Sequence, residues 1–125
     1  MIENDISYKT RGAIFEVYNE LGPGLLESVY QKALAFELRS QDLDVLEEVP
    51  IPVKYKHEKM ELGFRMDLLV ERKVAVELKS IEAIHKVHHK IFLTYLKLTD
   101  LKLGLLVNFN TDDITQSIYR KVNGL

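Results

Sequence analysis

The sequence predicts an α/β domain in which helices pack against a mixed β-sheet. Three observations carry that expectation. Two stretches near the start repeat apolar residues at helical spacing, the stretch from Val49 to Lys79 alternates with a period of two, and Leu103 to Phe109 is almost continuously apolar. The order helix, helix, three strands, helix, strand, strand implies one sheet with a strand reached by a crossover connection, covered by helices.

The first helix is expected from about Asp5 to Leu21, where Ile6, Ala13, Ile14, Val17 and Leu21 recur and Asn4 or Asp5 supplies the cap. Gly22, Pro23 and Gly24 stop it. A second helix follows from Leu25 to Ser40, with Leu26, Val29, Tyr30, Ala33 and Leu34 inward. Val49, Ile51, Val53 and Tyr55 then alternate with Glu48, Pro50, Pro52 and Lys54, and two prolines of one parity confine this strand to a sheet edge. Met60, Leu62, Phe64, Met66, Leu68 and Val70 form one face of the next strand, leaving Glu61, Gly63, Arg65 and Asp67 on the other. Val74, Val76 and Leu78 alternate with Ala75, Glu77 and Lys79 in the strand after it. Ile84, Val87, Ile91, Tyr95 and Leu98 mark a third helix, Leu103 to Phe109 a buried strand, and Ile114, Gln116, Ile118 and Arg120 a weakly alternating last strand.

Three ionisable side chains, Asp67, Glu77 and Lys79, interrupt the two most apolar strands. If those strands form a hairpin through Glu71 to Lys73, a loop of odd length is required for the faces to match. A three-residue loop pairs Val70 with Val74, Leu68 with Val76 and Met66 with Leu78. It then sets Asp67 opposite Glu77 and Arg65 opposite Lys79. Two carboxylates roughly 5 Å apart repel unless a cation sits between them.

Length and composition narrow the function. A chain of 125 residues, 46% hydrophobic, supports a single domain over 1–125 that buries about two-thirds of its unfolded surface. A formal charge of −2 gives no global nucleic-acid signature, so such a partner is met by a local basic patch. The chain has no cysteine, which fits a reducing cytoplasm and removes disulfides and thiolate chemistry. No run approaches the ~20 apolar residues of a membrane span, and Met1 to Ser7 lacks an apolar signal region, so a cytoplasmic protein without a membrane partner is expected. The serines have no nucleophile-elbow context and no Walker-type loop is present, which sets acyl transfer and nucleotide hydrolysis aside.

Asp67 followed after nine residues by Glu77-Leu78-Lys79 resembles the metal-binding signature of the PD-(D/E)XK nuclease superfamily. Gly24, Glu27 and Tyr30 resemble the motif that names its GxxExxY family, and the likeness runs from about Glu16 to Asn108. The resemblance implies a restriction-endonuclease-like αβββαβ core and a Mg²⁺-dependent phosphodiesterase site, with Mn²⁺ as substitute. It implies nucleic acid, DNA first, as substrate. In that family's pattern the third helix carries a His and, three residues on, a Gln; His88 keeps the first and Ile91 replaces the second.

The chemistry explains these residue types. Mg²⁺ favours oxygen ligands and keeps several waters, so Asp67 and Glu77 can hold it and leave room for phosphate and water. Lys79, on the face of Glu77, can position or help deprotonate that water and offset phosphate charge. The alternative is a solvated checkerboard in which Asp67 pairs with Lys79 and Arg65 with Glu77. Glu27 lies in the first turn of its helix, where the macrodipole favours a carboxylate, or serves as a third metal ligand and accessory catalytic group. Tyr30 presents its hydroxyl beside Glu27 or is a core aromatic. Glu20, in the last turn of its helix, is a further ligand or an exposed residue.

Arg65, His88, Lys86 and Lys90, with Lys97 continuing the stripe, are candidate substrate contacts, and Lys54, Lys56 and Lys59 form a second basic cluster. His85 and His89 have the i, i+4 spacing of zinc ligands without a third partner in the sequence. The leading expectation is a Mg²⁺-dependent nuclease acting on DNA, with a homodimer expected from the short footprint of so small a domain. The alternative is a catalytically inactive module of the same fold that binds nucleic acid or a protein.

Overall fold

A computed structural model of the chain describes residues 1–60 and 63–125. Its elements run α1 (Glu3–Leu21), α2 (Glu27–Ser40), β1 (Val45–Pro50), β2 (Val53–Tyr55), β3 (Glu58–Met60), β4 (Arg65–Val70), β5 (Val74–Lys79), α3 (Lys86–Thr99), β6 (Leu103–Asn108), a 3-10 turn (Ile114–Gln116) and β7 (Ile118–Val122). Five strands form one mixed sheet in the order β1-β4-β5-β6-β7, and β2 pairs with β3 in a separate two-stranded ribbon. Among the described residues only β5 and β6 are parallel, joined by the α3 crossover as the buried Leu103 to Phe109 run requires. The α/β class, mixed sheet and flanking helices agree with the sequence. Among the described residues no helix is long and apolar enough to cross a membrane.

Each sheet face has its own core. Leu68, Val70, Val74, Val76, Leu78, Leu103, Leu105 and Val107 pack beneath α1 and α2. Met66, Leu69, Ala75 and Leu106 pack beneath α3. Glu77 and Lys79 share the parity of Ala75, so both belong to the α3 side.

Several local expectations fail for physical reasons. Helix α1 begins at Glu3 after Ile2 and has no side-chain cap, because the Asn4 side chain accepts a bond from Arg120 at 2.7 Å instead. Helix α2 begins at Glu27, with Leu26 still extended, and this turns Leu26 and Val29 outward. Its buried stripe is Tyr30, Gln31, Leu34, Ala35 and Leu38. In α3 the buried stripe is Phe92, Tyr95 and Leu96, while Val87, Ile91 and Leu98 are exposed. The packing partner decides this phase: a Cβ on Gly104 would stand 2.5 Å from the Phe92 ring, so α3 lies against the one strand position without a side chain.

The long alternation from Val49 to Val70 is also divided. Ile51 and Pro52 interrupt the first strand, and Val53 continues into the ribbon rather than along the sheet edge. Met60 and Phe64 are exposed, and Met66 joins the α3 core while Leu68 joins the other. Glu61 and Leu62 lie outside the described residues.

The hairpin register agrees with the parity argument. Val70 pairs with Val74, Leu69 with Ala75 and Leu68 with Val76. Glu71 and Arg72 take positive φ, as a tight hairpin turn of this hand demands, and Asp44 holds Glu71 through two hydrogen bonds of 2.8 and 2.7 Å.

Candidate active site

Beyond Leu68 and Val76 the regular β4–β5 pairing ends, and the carboxyls of Asp67 and Glu77 take its place. The Leu78 N–H donates to Asp67 Oδ2 at 2.7 Å, and the Asp67 N–H donates to Glu77 Oε1 at 3.3 Å. Each carboxyl stands in the electrostatic reach of the other. Glu77 is only 8% exposed. Burial, then the Asp67 charge, pushes its carboxyl up to about 8, against the opposing pull of Lys79. Burial likewise raises Asp67, with the Glu48 and Glu27 charges adding to it and the Leu78 N–H opposing.

Glu27 approaches from α2. Its Oε2 accepts the Ser80 N–H at 3.1 Å, just past the end of β5, and the Ser80 hydroxyl donates to the Leu25 carbonyl. Tyr30 fixes that helix start: its hydroxyl donates to the Gly22 carbonyl at 2.6 Å and accepts the Leu25 N–H at 3.1 Å. The ring is fully buried and stacks on Phe109 at 4.2 Å. Tyr30 therefore holds the turn that carries Glu27 and is the core aromatic that the sequence offered as the alternative to a hydroxyl presented beside Glu27. Gly22 and Gly24 take positive φ in this turn, which explains why glycines occupy it.

The other expected residues are spread out. Lys79 is half-buried beside Glu77, and Arg65 is exposed, with a long 3.4 Å bond to the Glu48 carbonyl. Among the described residues neither the Asp67–Lys79 nor the Arg65–Glu77 ion pair of the checkerboard alternative forms. His88 caps α3, its Nδ1 accepting the His85 N–H at 2.8 Å, which leaves Nε2 as the nitrogen it can offer a substrate. His89 turns edge-on to Tyr119, and the three histidines do not converge. Lys86 and Lys90 are exposed on α3, and Glu20 is exposed to solvent.

Three residues near the site escaped sequence reasoning. Glu48 has φ +53° in the middle of β1, where the ladder pairs Glu47 with Leu68 and Val49 with Met66, so register sets it opposite Asp67. A strained backbone of this kind costs about 1–3 kcal/mol and clusters at functional sites. Tyr95 is held above its usual range by burial and then by the charges of Glu77 and Asp67, which places its hydroxyl in their field. Asn108 is buried at the end of β6, where its amide accepts the Ile81 and Asn110 N–H groups and donates to the Ile81 carbonyl, fixing the segment after Lys79. A polar residue inside the apolar Leu103 to Phe109 run was the one sequence signal for it.

A family model described as the PD-(D/E)XK nuclease superfamily matches residues 4–121, nearly the whole chain. The chain belongs to that superfamily. Among solved structures, the PD-(D/E)XK chain is similar in fold to the crystal structure of SSO0001, at 20% identity and a TM-score of 0.57, over 78% of this chain and 50% of that one. This chain thus spans half the length of that protein. No curated protein matches it.

PD-(D/E)XK proteins typically use divalent metal ions. The expected ligand set of Asp67, Glu77 and Glu27 does not come together: among the described residues no three such side chains are close enough to hold a metal, because Glu27 is drawn to Ser80. The Asp67–Glu77 pair by itself fits a hard cation. It offers two neighbouring carboxyls, each with one oxygen steadied by a main-chain N–H, and a divalent ion between them would offset both charges.

Proposed function

We propose that this chain hydrolyses phosphodiester bonds in DNA with Mg²⁺ or Mn²⁺ held by Asp67 and Glu77. The observation that supports this most is the buried carboxyl pair at the broken end of the β4–β5 ladder, with Lys79 beside it and Glu27 close enough to add its charge. When bound, the ion supplies Lewis-acid stabilisation of the charge that develops on the phosphoryl group. Lys79 orients the attacking water and offsets phosphate charge. Glu27, steadied by Ser80, accepts a hydrogen bond from that water on its free oxygen. Arg65, Lys86 and Lys90 contact the strand around the scissile phosphate. Gly24, Glu27 and Tyr30 support placing the chain in the GxxExxY family.

A catalytically inactive module of the same fold is the second reading, favoured by the engagement of Glu27 with Ser80 and by the exposed Ile91 where the family pattern has Gln. Cleavage assays across single-stranded, duplex and branched DNA with Mg²⁺ or Mn²⁺ decide between them. The nuclease reading requires turnover that Asp67→Ala abolishes while DNA binding persists. Salt-dependent binding without any turnover supports the module. A single small domain offers a short footprint, so we also propose a homodimer, which sedimentation as a monomer at micromolar concentration would exclude.

A further inference from the structure

We propose that a cleft between the β2–β3 ribbon and the start of β4 receives an unpaired nucleotide of a DNA strand, its base against Phe64 and its phosphates on Lys54, Lys59 and Arg65. This rests on the nuclease reading above and names the form of substrate that site takes.

The cleft has a volume of about 690 Å³, and Pro50, Ile51, Lys59, Met60, Phe64 and Arg65 are among the residues that line it. That is within the ~300–1,000 Å³ range of ligand sites. Its mouth is unusual for a surface: Phe64 is 56% and Met60 38% exposed. The ribbon is held in place at its stem, where the Ile51 N–H donates to the Phe64 carbonyl at 2.7 Å and a Cβ on Gly63 would stand 2.9 Å from the Ile51 carbonyl oxygen. The exposed ring is thus presented on a fixed backbone.

Charge points to the occupant. Lys54 and Lys59 are directly opposite each other on the ribbon, with Lys56 at its turn, and none of these lysines has an ion-pair partner among the described residues. Like charges facing across two strands destabilise the pairing, a cost that a polyanion lying along the ribbon removes. Duplex DNA would satisfy the lysines and leave the ring bare, because paired bases keep their faces stacked inside the helix. An unpaired base satisfies both. The path onward is short: the Phe64 ring lies 5.4 Å from that of Tyr95, whose hydroxyl is in the field of Asp67 and Glu77, and Arg65 is two residues from Asp67.

The test is fluorescence anisotropy of the full chain with one labelled oligodeoxynucleotide, as single strand and as duplex, in EDTA. The single strand is expected to bind more tightly. Phe64→Ala is expected to weaken it about tenfold and leave the duplex unchanged. Phe64→Leu, which keeps an apolar contact with Tyr95 without a ring, should behave like Phe64→Ala, and Phe64→Tyr should retain binding. Replacing Lys54 and Lys59 by Ala should flatten the slope of log K against log salt by about 1.4. Single-strand affinity unchanged in folded Phe64→Ala and Phe64→Leu overturns the proposal, as does a preference for duplex. Phe64-dependent binding by a wild-type protein that cleaves nothing with Mn²⁺ retires the nuclease reading and upholds the cleft. Wild-type cleavage of single strands that Phe64→Ala leaves unchanged in rate and affinity does the reverse.

Discussion

Glu77 accepts the main-chain N–H of Asp67 at 3.3 Å, and Asp67 in turn accepts the N–H of the residue after Glu77 at 2.7 Å. Two side chains that repel when charged therefore fill the donors left open where the strands part. When both are charged they repel, and a cation between them would relieve that repulsion.

Asp67→Asn tests that relationship. The amide keeps the bond from Leu78 and donates to Glu77 without a second charge, so the metal-free protein should gain about 0.5–2 kcal/mol. Cleavage and the rise in melting temperature with Mg²⁺ should both disappear. Calorimetric melts with and without Mg²⁺ measure this, and a variant less stable than wild type in EDTA would contradict it.

The pH dependence has a definite sign. Below the ordinary Glu value of 4.5 native and unfolded chains both hold the Glu77 proton; between 4.5 and about 8 the unfolded chain has lost it while the native chain retains it. The native state then binds more protons, so metal-free stability falls as pH rises through this window, and the shift of Asp67 acts in the same direction. Saturating Mg²⁺ should displace the proton and stabilise more as pH increases. Denaturant midpoints across the window in EDTA and in Mg²⁺ should diverge; stability rising with pH in EDTA would refute the account.

Tyr30→Phe removes one hydroxyl that serves two main-chain groups, the Gly22 carbonyl and the Leu25 N–H. The loss should be about 1–3 kcal/mol in urea unfolding. Activity should fall beyond what stability explains, because the turn before Glu27 loosens. Full activity in a destabilised variant would separate Tyr30 from the site.

Gly104→Ala should cost about 1–3 kcal/mol by overpacking, since the new methyl meets the Phe92 ring at 2.5 Å and Leu96 at 3.0 Å. Gly104→Ala combined with Phe92→Leu should recover part of the loss. A neutral single substitution would show that α3 can withdraw from β6.

Much of this arrangement was legible because β-sheet parity is strict: once Leu68 and Val76 pair, Asp67 and Glu77 must meet. The buried parallel strand was equally plain from Leu103 to Phe109. What escaped depends on partners distant in sequence. The phase of α3 is set by the bare backbone at Gly104, and the role of Tyr30 by a turn it closes behind itself. The division of the Val49 to Val70 alternation arises at Ile51 and Pro52, where the chain leaves the sheet for the ribbon. Nothing in the residue type at Glu48 announces a positive φ, and Tyr95 reads as an ordinary apolar helix position until the charges of Glu77 and Asp67 are found acting on it.

The turn of Glu71, Arg72 and Lys73 stands at the far end of the hairpin from the carboxyls, yet the register it closes reaches them. A slip of β5 by one residue against β4 would turn Glu77 into the oily layer under α1 and α2 and bring Leu78 out in its stead. A residue added at the bend itself can bulge outward while Val70 still meets Val74, so it is the oily faces of the two strands, more than the loop, that keep the acidic pair together.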